Sequence, residues 1–250
     1  MKYKFSPSKI NLLKDCPKCF WLEHNKQIKR PDGIFPSLPN GMDKILKVHF
    51  DNYANQDKLP PELKEIDDGT LKIFNNKVLL DKWRNNFKGI VYTDEKFWIR
   101  GAVDAVLMKG DTLIVLDYKT RGYPLKEDTH HHYIEQQAFY NYLLQKNGYK
   151  TKDYSYLLFY HPDKVVDEVF LFHADLIKIE TPMSLAENLI KKALKVLDGP
   201  CPDQSNECKF CKFRDIGKSE LNQDNNEKNS NSFSELKNNI KEKTTNLLNY

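Results

Sequence analysis

The sequence predicts an α/β fold, and three observations carry that prediction. First, Gly101–Lys119, GAVDAVLMKGDTLIVLDYK, has the pattern of a β-hairpin. Its residues up to Met108 alternate with apolar side chains, Lys109-Gly110-Asp111 is a glycine-containing turn, and Thr112–Leu116 is a β-branched apolar run. Second, strand-like patterns alternate along the chain with stretches of helical periodicity. Third, 250 residues are enough to bury one sizeable core.

Taken in order, Phe5–Gln27 reads as a helix capped by Ser6, with Pro7 in its first turn and Ile10, Leu13 and Phe20 facing inward. Pro17 kinks it or starts a second helix capped by Asp15 or Cys16. Arg30–Gly41 is a Pro- and Gly-rich loop, and Met42–Tyr53 returns to helical spacing. Asp57–Gly69 is polar and reads as an exposed connection, and Val78–Phe87 as a short helix. Ile90–Asp94 and Lys96–Arg100 are strands leading into the hairpin. A loop over Thr120–Glu127 precedes a long helix capped by Asp128 or Thr129 and ending before Gly148. Tyr154–Tyr160 and Val165–Phe172 read as strands joined by a turn at His161–Lys164. Pro182–Leu197 is an amphipathic helix stopped by Gly199-Pro200. These elements assign residues 1–214 to one domain. Residues 215–250, rich in Asn, Lys, Ser and Glu, read as a disordered tail in which Ser232–Glu235 has the form of a capping box.

Composition narrows the function classes. No apolar run reaches the ~18 residues of a membrane span, and the N-terminus lacks the apolar region of a signal peptide, so a cytoplasmic protein without a membrane partner is expected. The net charge of +4 permits a polyanionic partner without requiring one. Five cysteines in that compartment point to ligand or redox roles rather than disulfides.

The hairpin carries chemistry as well as core. Asp104 and Asp117 stand six and seven residues either side of Gly110, so the fold at the turn sets them roughly opposite each other. Strand alternation puts Asp117 and Lys119 on one face and Tyr118 on the other. Charges placed at the end of an apolar hairpin are costly to bury unless they bind something. Two carboxylates suit Mg²⁺ or Mn²⁺, and an adjacent amine can orient water or stabilise negative charge on a phosphate. The segments GAVD and LDYKT resemble the PD-(D/E)XK nuclease superfamily, and specifically its RecB-like branch. The resemblance extends to Gln136 and Tyr140, similar to that branch's QxxxY motif and sharing one helical face. It implies a restriction-endonuclease-like core, a mixed central sheet flanked by helices, in which Asp104 and Asp117 hold Mg²⁺ or Mn²⁺, Lys119 assists the water, and Gln136 and Tyr140 position substrate. The branch usually adds a histidine ligand four residues after a glycine. Ile45 occupies that place here, and His49, one turn later, is the expected third ligand, with Glu23 and Asp43 as substitutes.

The cysteines form two C-x-x-C pairs, Cys16/Cys19 and Cys208/Cys211, at opposite ends of the domain. Paired motifs of this kind point to a tetrathiolate site for zinc or an iron–sulfur cluster, joining the N- and C-terminal segments. The resemblance favours a [4Fe-4S] cluster, with zinc as the alternative, and Cys201 as an alternative to Cys19. Lys82, Arg84, Lys88, Arg121 and Lys126 are candidates for phosphate contacts, and Tyr123, Phe20 and Trp21 for base stacking. The function implied is a metal-dependent DNA nuclease, an exonuclease on ends or single strands in defence, recombination or repair. Its partners would be DNA and a helicase or CRISPR adaptation proteins. The alternative is a non-catalytic DNA-end or partner-binding module on the same fold.

Overall fold

The structure, a computed structural model, describes residues 2–217. The chain divides into two compact units, Met1–Pro202 and Asp203–Tyr250. The tail beyond residue 217, with its capping-box motif, lies outside the described residues. In the second unit, residues 209–217 form a helix immediately after Cys208.

The first unit opens with β1 (Tyr3–Phe5), α1 (Pro7–Asp15) and α2 (Pro17–Lys26). The Ser6 hydroxyl accepts the Lys9 N–H at 3.3 Å and caps α1, while Cys16 has an extended backbone and separates the helices. Pro17 removes the N–H that α1 would need to continue, and then serves as the first residue of α2. α3 (Ser37–Asn55) begins earlier than its apolar stripe suggests, because Pro39 falls in its first turn where no intrahelical N–H is required. A 3₁₀ turn over Pro61–Ile66, β2 (Leu71–Ile73) and α4 (Lys77–Trp83) follow. α4 ends before Phe87 because the Asn85 side chain accepts the N–H groups of Phe87 and Lys88, at 2.8 and 2.9 Å.

β3 (Ile90–Thr93) and β4 (Phe97–Gly101) pair antiparallel, and β1 adds parallel to β4, giving a three-stranded sheet. β5 (Ala105–Lys109) and β6 (Thr112–Thr120) form the hairpin, with Gly110 at φ 62° in its turn. Gly101–Met108 is therefore not one strand. The chain leaves the first sheet at Gly101 and enters the second at Ala105, and Asp104 lies at the end of that crossing.

A second 3₁₀ turn, Thr129–Tyr133, runs directly into α5 (Ile134–Lys146). After β7 (Lys150–Thr151), a short strand beside β6, come β8 (Tyr154–Val166), β9 (Val169–Glu180) and α6 (Met183–Asp198). The larger sheet has the order β2-β5-β6-β8-β9, with β6 and β8 parallel and the other neighbours on this path antiparallel. The turn expected at His161–Lys164 is instead a bulge, across which β8 and β9 continue to pair as far as Val166 and Val169. The reversal falls at Asp167-Glu168, both in left-handed backbone.

Side-chain alternation along β6 feeds two cores. Leu113 and Val115 pack with Phe139 and Leu143 of α5 and with Ile190 and Ala193 of α6. Ile114, Leu116 and Tyr118 face the other way, into a cluster with Leu46 and Phe50 of α3, Leu63, and Leu158. Asp117 and Lys119 continue the α5-facing row where its apolar residues end.

Candidate active site

Asp117 is 2% exposed, within the central strand β6. Its Oδ2 lies against the Lys119 ammonium and receives no other hydrogen bond among the described residues. Asp104 is the residue before β5; one rung along the hairpin, Ala105 pairs with Leu116. The Tyr118 N–H donates to Asp104 Oδ2 at 3.2 Å, which fixes that carboxylate against β6. Burial and the neighbouring charge of Asp117 push the Asp104 carboxyl above the usual range, while Lys47 and Lys119 act against the rise. Burial works to lower the Lys119 amine, but Asp117 and Asp104 outweigh it, so the amine is held above its ordinary value and stays charged at neutral pH. The ammonium also lies over the Tyr133 ring, 4.9 Å from its centroid.

α5 supplies Gln136 and Tyr140, one turn apart, and Gln136 Nε2 donates to Tyr140 Oη at 2.9 Å. Burial raises the Tyr140 hydroxyl well above its ordinary value, and the charges of Asp117 and Asp104 add to the rise. Tyr140 therefore remains a neutral hydroxyl beside the carboxylates. Its ring packs on Gly101, where a Cβ would meet Tyr140 Cε1 at 2.9 Å and Leu143 Cδ1 at 2.8 Å. Only glycine lets β4 and α5 approach this closely. A cleft of about 320 Å³ adjoins the pair, lined by Ser6, Ser8, Asn86 and Arg100 as well as Gln136 and Tyr140.

Three further groups, Lys47, Arg84 and Tyr133, meet the site in ways the sequence does not indicate; for Arg84 the sequence suggests a phosphate contact instead. Lys47 of α3 reaches Asp104 Oδ1 at 3.2 Å and Asp43 Oδ2 at 2.8 Å. Burial alone would lower its amine, but Asp104 and then Asp43 raise it. Arg84 donates from Nε to the Asp104 carbonyl at 2.6 Å and from Nη1 to Asp51 at 2.8 Å. Its side chain is 10% exposed, so it holds the crossing in place rather than presenting a cation to a phosphate. Tyr133 provides the ring beneath Lys119. A lysine or arginine on a helix has a generic pattern, and only the fold reveals its target.

His49 lies elsewhere on α3. It stands two residues from Lys47, about 200° around the helix. Its Nε2 pairs with Glu62 Oε1 at 3.1 Å, and its ring packs edge-on against Phe50 and Tyr53. Glu62 also accepts from Tyr160 Oη at 2.9 Å, completing a polar cluster around the 3₁₀ turn. Asp43 reaches the site through Lys47, while Glu23 pairs with Lys9 at 3.3 Å. Of the candidate nucleic-acid contacts, Lys82, Lys88, Lys126 and Tyr123 are exposed and Arg121 half-buried. Phe20 is core, and Trp21 Nε1 donates to the Gly199 carbonyl at 3.0 Å. His130 is half-buried and stacks edge-on against the exposed His131.

Cys16, Cys19, Cys208 and Cys211 are all buried, whereas Cys201 is exposed. The sulfurs of Cys16 and Cys19 lie within 4.8 Å of each other, as do those of Cys208 and Cys211. Each pair is thus pre-arranged for chelation. In the second unit Arg214 Nη2 donates to Cys211 Sγ at 3.1 Å, an interaction that favours the thiolate form.

The family model of the PD-(D/E)XK nuclease superfamily matches residues 38–216. The chain belongs to that superfamily and is by class a nuclease. A candidate exonuclease from Eubacterium rectale, known from its crystal structure, is similar over 84% of this chain and 88% of its own, at 13% identity and a TM-score of 0.41. No curated protein matches the sequence. No helix among the described residues is long and apolar enough to cross a membrane.

Proposed function

We propose that the protein is a deoxyribonuclease dependent on Mg²⁺ or Mn²⁺ that degrades DNA from ends or as single strands. The observation that carries this reading is the meeting of Asp104, Asp117 and Lys119 at one end of the β5–β6 hairpin. The donor set fits a hard divalent cation. Two carboxylates share a poorly hydrated place, the buried Oδ2 of Asp117 meets only the Lys119 ammonium among the described residues, and the Asp117 charge raises the cost of ionising Asp104. A cation held by Asp104 and Asp117 would polarise the scissile phosphate and make a bound water nucleophilic at neutral pH.

The chain's own groups do the rest. Lys119 stays protonated and offsets negative charge developing on the phosphate, with Tyr133 fixing its position. Lys47 neutralises the far side of Asp104. Gln136 and Tyr140 present an amide and a neutral hydroxyl toward the adjoining cleft, where a strand's phosphate or sugar can be aligned. His49 is left out of this assignment because Glu62 already engages it.

Cys16, Cys19, Cys208 and Cys211 are proposed to hold a [4Fe-4S] cluster of structural role, with zinc as the competing occupant. The support is the pair of C-x-x-C motifs, the burial of all four thiols and the exposure of Cys201. Defence, recombination or repair are the processes such an enzyme would serve.

The test is cleavage of labelled linear single-stranded, linear duplex and circular single-stranded DNA with Mg²⁺, with Mn²⁺ and with EDTA. Linear DNA should be cut with either metal and circular DNA spared. Asp117→Asn and Lys119→Ala should each lose metal-dependent cleavage while keeping the wild-type circular dichroism spectrum. Undiminished cleavage by either folded variant refutes the site assignment, and cleavage of the circle refutes end dependence.

A further inference from the structure

A second cluster of ligand-type side chains lies on the β8–β9 pair. His161 and His173 are direct cross-strand partners, and Asp175, two residues along β9, pairs with Phe159. Because residues in register share a face, all three project from the face that carries Asp117 and Lys119, with Phe159 opposite Lys119 between the two groups. The Asp175 carboxylate stands between the rings. Its Oδ2 is 3.4 Å from His161 Nε2 and its Oδ1 is 3.2 Å from His173 Nε2. The ring centroids are 5.3 Å apart, and one donor atom from each residue falls within a 4.8 Å set.

Two details make this more than a surface charge cluster. His161 Nδ1 is 3.0 Å from the Pro162 carbonyl, which can only accept, so Nδ1 carries the proton. Nε2 is then the ring atom turned toward the Asp175 carboxylate, and either a proton or a metal ion can lie between them. Fixing Nδ1–H on a carbonyl is also how metal-ligating imidazoles are commonly oriented. In addition, Asp175 Oδ2 is buried and accepts no hydrogen bond among the described residues. The bulge at Pro162/Lys164 interrupts the ladder beside His161, so the backbone here departs from simple pairing.

We infer that His161, His173 and Asp175 form a binding site for a divalent transition-metal ion, separate from the Asp104/Asp117 centre. Two imidazoles and one carboxylate suit Zn²⁺, Co²⁺ or Ni²⁺ and discriminate against Mg²⁺, which prefers all-oxygen sites. Three protein ligands leave at least one coordination position open to water or an anionic oxygen. His161 is buried, Asp175 half-buried and His173 exposed, so the site is anchored in the sheet and entered from its rim.

The test compares metal content. Full-length protein is stripped with chelator, equilibrated with Zn²⁺, freed of unbound ion and assayed by elemental analysis. The cysteines also take zinc, so the reading is the difference between wild type and the variants His173→Ala and Asp175→Asn. Each variant should hold one zinc equivalent fewer than wild type. With Co²⁺, the variants should keep the thiolate charge-transfer bands and lose a weak visible band of nitrogen–oxygen coordination. Their Mg²⁺-dependent cleavage should be unchanged. His173 is exposed, so its replacement leaves the core intact, and Asp175→Asn preserves side-chain shape. Equal zinc content in wild type and both variants overturns the inference.

Discussion

Arg84 offers the sharpest separation of two physical readings. From the sequence it is a cation on a short helix available to a DNA phosphate. In the structure its guanidinium is buried and grips the Asp104 carbonyl at 2.6 Å and Asp51 at 2.8 Å. Replacement by Met keeps most of the apolar stem and removes both contacts. A hydrogen bond from a charged donor contributes about 1.5–3 kcal/mol. The Asp51 pair adds about 0–1 kcal/mol, because Asp51 is 43% exposed and screened by solvent. Arg84→Met should therefore lower unfolding free energy by about 1.5–4 kcal/mol, read from urea denaturation, and reduce cleavage per folded molecule as Asp104 loses its anchor. A phosphate contact predicts something else. Removing one would flatten the dependence of log affinity on log salt by about 0.9 and leave stability alone. DNA binding measured across a salt series decides the matter: a slope reduced by about one, with an unchanged urea midpoint, would refute the anchoring role.

Other outcomes follow from the same geometry. Gly101→Ala should cost about 1–3 kcal/mol of overpacking against Tyr140 and Leu143, and should lower kcat more than DNA affinity; denaturation and single-turnover cleavage measure the two effects. His49→Gln should retain metal-dependent cleavage with an unchanged Mn²⁺ activation curve, whereas a metal ligand at this position would shift that curve by tenfold or more. Asn141, fully buried, donates to the Thr181 carbonyl at 3.1 Å and the Thr181 hydroxyl at 2.7 Å. Asn141→Ala removes both donations, leaving the Thr181 hydroxyl only its Ser155 partner at 2.9 Å, and should cost about 1–3 kcal/mol in urea denaturation, with cleavage per folded molecule preserved.

What was legible in the sequence was whatever rests on local periodicity. The hairpin, the shared face of Asp117 and Lys119, and the one-turn spacing of Gln136 and Tyr140 needed only the strand and helix repeats. The break at Cys16-Pro17 followed from proline's missing N–H. Other features depended on contacts distant in sequence. Tyr3–Phe5 becomes a strand only because β4 lies beside it, and three residues are too few to show a pattern. The β8–β9 reversal was hidden because Asp167 and Glu168 adopt left-handed backbone without glycine, while Pro162-Asp163 imitated a turn. A bulge accommodated that proline instead. Lys47 and His49 illustrate the same limit within one helix. Spacing placed both on α3, but only packing against β6 determined which of them reaches Asp104.

The position of β6 has a consequence for the chain as it is made. One neighbour, β5, precedes it on the ribosome, but β8 emerges only after the whole of α5 and β7. Until then the Ile114–Leu116 stretch presents an open, apolar strand edge that another nascent chain can pair with. A fragment ending before Tyr154 would already contain Asp104, Asp117, Lys119 and Tyr140, yet it would be a template for aggregation rather than a smaller nuclease. The strand that brings the two acids together is also the one that must be covered from both sides before they can be used.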